Sequence, residues 1–303
     1  MKPLNTILVG VDFSNASKAA LVEADYIAMW EGGELHVVHV IAIDEANTMM
    51  KMTKPSEELL NGMREKLKIF TESTTNLCAK KVYHVCYGDP FSQLMGIVKA
   101  NSADLLVVGS HGEGAKMNHM GVVASKCVRR SSIPVLTVRR QHNIGYKKLV
   151  VCVDFSVASQ EALEYAAEIA CNENAKLHIL HIWCDPWGVY NFPVEGLDYH
   201  MIEKQLEAAK ITAKRKIEKM RADLMHEYFA ANISTSVLEA PSVIDGIISF
   251  INEHKDMDLV VVGNRGHSKI SEFFIGTTTE KLIQRSPCSV LTVGVPNKKL
   301  SMK

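Results

Sequence analysis

The sequence lacks any apolar run near the roughly 18–20 residues that would cross a bilayer as a helix. Its first apolar run, Ile7–Val11, is cut off by Asp12 and is too short for a signal-peptide core. Cysteines number seven, an odd count, and are scattered without a C-x-x-C pair. That disfavours a disulfide framework or structural zinc and fits reduced thiols in a cytoplasm. Charge of one sign is not in excess: Lys plus Arg is 34 and Asp plus Glu is 34. The expectation is therefore no nucleic-acid partner and no membrane partner. The G-x-x-x-x-G-K-[S/T] loop with its lysine is missing, which disfavours ordinary P-loop hydrolysis.

What is present is a duplication. With 303 residues and 47% hydrophobic content, the chain is long enough for two domains, each with its own core. Ile7–Ser14 resembles Leu149–Ser156, and Leu35–Val40 resembles Leu177–Ile182, both at an offset of 142. Asp104–Gly109 matches Asp258–Gly263 at 154, and Val135–Val138 matches Val290–Val293 at 155. Recurrence in the same order marks an internal repeat, with expected domains 1–140 and 147–296 joined by a polar linker. Short Val-rich runs read as strands buried on both faces, and helix-spaced stretches separate them. The expected fold is α/β, with two tandem doubly wound parallel sheets. Ser14 and Ser156 are expected helix N-caps, and Gly32-Gly33 an expected helix stop. His36/His39 and His178/His181 are three apart on strands, so each pair points to opposite faces and cannot share a metal; no metal ligands are assigned.

The chemistry is expected in a glycine loop. After the strand ending at Val262 come Gly263-Asn264-Arg265-Gly266, nine residues, then Gly276-Thr277-Thr278-Thr279. Glycines allow close approach of backbone to an anion, and free N–H groups at a helix start hold it. Three or four charge-assisted bonds at about 1.5–3 kcal/mol each could hold a phosphorylated ligand at about micromolar levels. A glycine turn with a threonine cap and no ligand is the plainer alternative.

The G-x2-G-x9-G-[S/T] spacing after D-L-V-V-V-G resembles the ATP-binding signature of the universal stress protein superfamily. The V-D-F-S and L-H-V-V-H-V segments and the closing S-V-L-T-V strand resemble it too, and the likeness runs over nearly the whole chain, twice. The resemblance implies five-stranded parallel sheets of the Rossmann-like, adenine nucleotide alpha hydrolase-like type. It further implies ATP (or ADP or AMP), often with Mg or Mn, and a role in stress survival. Family members pair through the last strand, so two repeats imply an internal pseudo-dimer, with a homodimer as a further form. It places Asp154 near the ribose and the Ile182 backbone at adenine. Gly263, Asn264 and Gly266 would shape the loop, and Gly276, Thr277, Thr278 and Thr279 would meet phosphate. Arg265 stands where many members have His.

The first half departs from that pattern. Gly109-Ser-His-Gly112 is followed by only eight residues before Gly121-Val122-Val123-Ala124. The spacing is one short, and the hydroxyl positions are apolar, so nucleotide is expected mainly in the second half. Asp12, Val40, Gly109, Gly112 and Gly121 are the weaker counterparts, with Asp12 read first as a turn or cap residue. The aromatic insert from Trp183 to Tyr199 reads as a lid, or else as an apolar ligand or partner surface. Three functions are left: a nucleotide-binding stress regulator, a slow ATPase or adenylyl/phosphoryl transferase, and a nucleotide-independent scaffold.

Overall fold

The structure is a computed structural model. It describes residues 4–30, 32–42, 55–75, 77, 80–110, 121–139, 144–184, 199–228, 232–264 and 277–294. The first half runs β1 (Thr6–Gly10), α1 (Asn15–Met29), β2 (Glu34–Ala42), α2 (Glu57–Thr74), β3 (Lys80–Gly88), α3 (Pro90–Ala100), β4 (Leu105–Gly109), α4 (Val122–Arg130) and β5 (Val135–Val138). The second repeats it: β6 (Lys148–Cys152), α5 (Val157–Glu173), β7 (Lys176–Trp183), α6 (Tyr199–Glu227), β8 (Asn232–Glu239), α7 (Val243–Glu253), β9 (Leu259–Gly263), α8 (Thr277–Arg285) and β10 (Ser289–Val293).

Each half contributes five parallel strands, but they do not form two separate sheets. The order β3-β2-β1-β4-β5-β10-β9-β6-β7-β8 makes one ten-stranded sheet. Among the described residues its only antiparallel pairing joins β5 to β10, with Leu136 opposite Leu291 at the centre. Pairing the two end strands satisfies edge groups that would otherwise stay open. The Thr292 hydroxyl donates to the Val135 carbonyl (3.1 Å), and Arg139 Nη1 donates to the Ile283 and Gln284 carbonyls at the end of α8 (3.0 Å each). Helices cover both faces, and each face has a core that crosses the junction. One core includes Ile7, Leu136, Tyr146, Leu149 and Leu291. The other includes Leu8, Val135, Val150, Val290, Ile247 and Leu282.

Local chemistry explains the repeat blocks. Ser14 and Ser156 cap α1 and α5 by accepting from the N–H of Ser17 and Ser159. Gly32, at φ 64°, ends α1, and the Gly33 N–H returns to the Ala28 carbonyl (2.8 Å). Asp104 Oδ2 accepts from the N–H groups of Asn5 and Thr6, and Asp258 Oδ2 accepts from those of Lys147 and Lys148. That aspartate therefore ties each fourth strand to the start of the first. Gly109 and Gly263 sit where α1 and α5 press on the sheet. A Cβ on Gly109 would stand 2.7 Å from the Ala16 carbonyl carbon, and one on Gly263 2.9 Å from that of Ala158.

The copies diverge in the core. Asp25 is fully buried; it accepts from the Thr75 hydroxyl (2.6 Å) and pairs with Lys81 Nζ (3.1 Å). Its other oxygen, Oδ1, is buried without a partner. The offset of 142 puts Ala167 at the position of Asp25, and strand register puts Ile233 at that of Lys81. The second copy fills the same space with hydrocarbon. His178 sits against Phe250 (ring centroids 4.6 Å) with Nδ1 2.8 Å from the Ser234 hydroxyl. Burial first, and the nearby His254 second, pull its pKa from 6.5 down to about 4.

Three predictions follow from this packing. Asp25→Ala takes the ion partner from the half-buried Lys81 and leaves its Nζ, among the described residues, only the Leu77 carbonyl (2.9 Å); it lowers unfolding free energy by about 3 kcal/mol, the lower end for a broken ion pair. The triple change Asp25→Ala, Thr75→Val, Lys81→Ile recovers wild-type stability or exceeds it; urea denaturation reads both. Gly109→Ala and Gly263→Ala each cost about 1–3 kcal/mol through helix displacement. Gly10→Ala, whose Cβ would meet only Leu94 and Val108 side chains at 3.6 Å or more, stays within about 1 kcal/mol. A histidine with a depressed folded-state pKa binds its proton more readily when unfolded. His178 therefore contributes stability present above about pH 6.5 and lost progressively as pH falls toward about 4, and His178→Phe flattens that part of a stability-versus-pH curve.

Candidate functional site

In an open parallel sheet the ligand crevice lies beyond the carboxyl ends of the strands, where the strand order reverses. Here that place is between β1 and β4, and again between β6 and β9. In the first half the described residues enclose a cleft of about 250 Å³ at this point. Gly10, Val11 and Asp12 line it from the end of β1, Val38 and Val40 from β2, Val108 and Gly109 from β4, and Gly121–Ala124 from the start of α4. Of the weaker sequence candidates, Asp12, Val40, Gly109 and Gly121 are thus brought together, while Gly112 lies outside the described residues.

In both halves a tight Asp-Phe-Ser turn carries the aspartate. Asp12 Oδ1 accepts from the Ser14 N–H and Asp154 Oδ1 from the Ser156 N–H, each at 3.0 Å. Both carboxylates are exposed at the strand ends. The intervening Phe13 and Phe155 have φ of 65° and 63°. This left-handed backbone is strained for an aromatic residue by about 1–3 kcal/mol. The surroundings hold it. Phe13 lies on His39 (4.6 Å) and Phe155 on His181 (4.5 Å). His39 Nδ1 is 2.8 Å from the Val11 carbonyl and His181 Nδ1 2.7 Å from the Val153 carbonyl, so that nitrogen carries the proton and donates. Burial lowers the His39 pKa and keeps the ring neutral. Lys66 and Lys216 stand over the two phenylalanine rings at 4.4 and 5.2 Å. His39 and His181 are therefore braces of the turn. The brace itself was not inferred from sequence, although the identical Asp-Phe-Ser in both halves was its signal.

In the second half, β9 ends at Gly263 and α8 begins at Thr277. Asn264 N–H donates to the Val293 carbonyl (2.8 Å), while its Oδ1 is buried with no partner. Such an acceptor calls for a donor from ligand or water. Ile182 is buried at the end of β7, opposite Leu238. Thr279 requires a correction. Its hydroxyl, expected to meet phosphate, is buried and donates to the Gly263 carbonyl (3.0 Å). It latches the first turn of α8 to the end of β9, so its proton is committed to the protein. Its counterpart Ala124 cannot do this, and there the Gly121 N–H donates to the Ser110 carbonyl instead (2.9 Å). Gly263 likewise has a packing reason to be glycine, given above. Thr278 is half-exposed at the start of α8. Arg265, Gly266 and Gly276 lie outside the described residues, as do His111, His267 and most of the aromatic insert; of Thr277 only the backbone is described. Among the described residues no three His, Cys, Asp or Glu side chains gather as a metal site, and no helix is long and apolar enough to cross a membrane.

Comparison with known proteins places this geometry in a family. The universal stress protein family model matches residues 3–139 and again 145–294. A universal stress protein of Methanocaldococcus jannaschii is 30% identical over 161 residues, 53% of this chain and 89% of that protein. One from Mycobacterium bovis is 24% identical over 301 residues, 94% of this chain and 95% of its own length. The crystal structure of a universal stress protein from Archaeoglobus fulgidus shares the fold, with a TM-score of 0.64 at 20% identity, covering 96% of this chain and 98% of that one. The chain belongs to the universal stress protein family, whose domain it carries twice in tandem.

Proposed function

We propose that the protein is a stress-response regulator that binds ATP, or ADP or AMP, mainly in its second half. The observation that carries this is the start of α8, latched through Thr279 to the end of β9, where the next residue, Asn264, has a buried unpartnered side-chain oxygen. The first N–H groups of a helix have no partner within it, and the helix dipole favours negative charge there. Thr277 and Thr278 add hydroxyls at that end, where the first half has Val122 and Val123. Asp154 would face the sugar, and the backbone at Ile182 the base. A magnesium or manganese ion would be held chiefly by phosphate oxygens, as this ion usually is in nucleotide sites. The β5–β10 ladder supports reading the chain as an internal pseudo-dimer, with domains near 1–140 and 147–296.

Isothermal titration of the full chain with ATP tests this. One equivalent binds per chain, Asp154→Ala weakens it about tenfold or more, and Asp12→Ala changes it less than about twofold. Binding that ignores Asp154 and responds to Asp12, or no binding of any adenine nucleotide, contradicts the proposal.

A further inference from the structure

We infer that the first half serves the anion site of the second from across the junction: Arg129 on α4 cancels the charge of Glu280 in the first turn of α8, and so sets how strongly that helix start takes a phosphate chain. The inference deepens the proposed function and rests on its reading that phosphate meets the start of α8. The β5–β10 ladder joins the halves, and Arg129 Nη2 donates to Glu280 Oε1 across it. The same nitrogen donates to Ser125 Oγ on its own helix (3.1 Å), which steadies the guanidinium. Arg139, also from the first half, donates to the Ile283 and Gln284 carbonyls in the last turn of α8, where a cation suits the helix dipole. First-half arginines thus hold α8 at both ends.

The second half does not return this. Under the offset of 155 that aligns β5 with β10, Ser125 stands where Glu280 does, Gln284 where Arg129 does and Gly294 where Arg139 does. The mate of the Arg129–Glu280 contact would therefore join two uncharged side chains. The charged contact falls on the helix that begins Thr277-Thr278-Thr279 and not on the one that begins Val122-Val123-Ala124. Glu280 alone would work against an anion there. It lies three residues beyond Thr277, about 4.5 Å along the axis. That is within the roughly 8 Å over which charges stay coupled at physiological salt. Its carboxylate also competes for the positive end of the helix dipole. Arg129 lifts that repulsion through Glu280. Both side chains are partly exposed, so the pair adds little to stability, and its charges can be changed without unfolding the chain.

Equilibrium dialysis of the full chain with labelled ATP reads a ladder of local charge. Arg129→Ala leaves the carboxylate bare and weakens ATP about three- to tenfold. Glu280→Gln leaves the guanidinium and tightens ATP by about the same factor. The double variant Arg129→Ala/Glu280→Gln carries neither charge and returns to within about twofold of wild type. A contact that only clamps the halves would move both single variants and the double in the same direction. ATP binding that weakens in Glu280→Gln overturns the inference, as does a double variant as weak as Arg129→Ala, or single variants that both stay within about twofold of wild type. Urea denaturation shows whether each variant folds. Should Arg129→Ala not fold, Glu280→Gln decides alone: tighter ATP binding upholds the inference, and unchanged or weaker binding overturns it. If the wild-type chain binds no adenine nucleotide, the proposed function fails, and the ladder is read with inorganic triphosphate instead. The same order of variants then upholds the inference, and any other order, or no binding, overturns it.

Discussion

A parallel sheet whose strand order reverses cannot cover both carboxyl ends at the reversal with one connection. From β1 the chain leaves toward β2, and from β4 toward β5, and the gap between those departures is the crevice. The same gap recurs between β6 and β9. The described candidate site residues are arranged around these two gaps. The aspartate turns project into them from β1 and β6. The close seating of α1 on Gly109 and of α5 on Gly263 fixes their inner walls, and α4 and α8 begin at their outer rims.

Duplication supplies an internal comparison of what that frame requires. Features kept in both halves are those that hold the turn and the seat: Asp-Phe-Ser, the histidine brace, the strand-tying Asp104 and Asp258, and the two close-approach glycines. Features that changed lie either in the deep core or at the rims of the clefts. The Asp25–Lys81 pair faces Ala167 and Ile233 in the other copy, a substitution that buried ion pairs tolerate when both partners go. At the rims, Val122-Val123-Ala124 faces Thr277-Thr278-Thr279, and Gly10 faces Cys152.

Much of this was legible in the sequence because the repeat doubled every signal. The Val-rich runs, the serine caps and the Gly32-Gly33 stop each depend on local chemistry alone, and each was found where the residues pointed. The single sheet was not legible from patterning, in which β5 and β10 read as ordinary buried strands; only the family resemblance implied pairing through the last strand. Side-chain direction was also out of reach. Thr279 reads as a phosphate donor until its hydroxyl is seen turned back to Gly263. His39 and His181 read as passive until their rings are seen under two left-handed phenylalanines. Spacing fixes which residues are near an edge, whereas the partner each proton finds depends on packing between distant segments.

Where a triphosphate settles separates the two halves most directly. Crystals of the full chain grown with ATP give the direct answer. Phosphate density is expected against the N-terminus of α8, with adenosine between β6 and β9. Phosphate density against α4, in the first cleft alone or in both clefts equally, would contradict it.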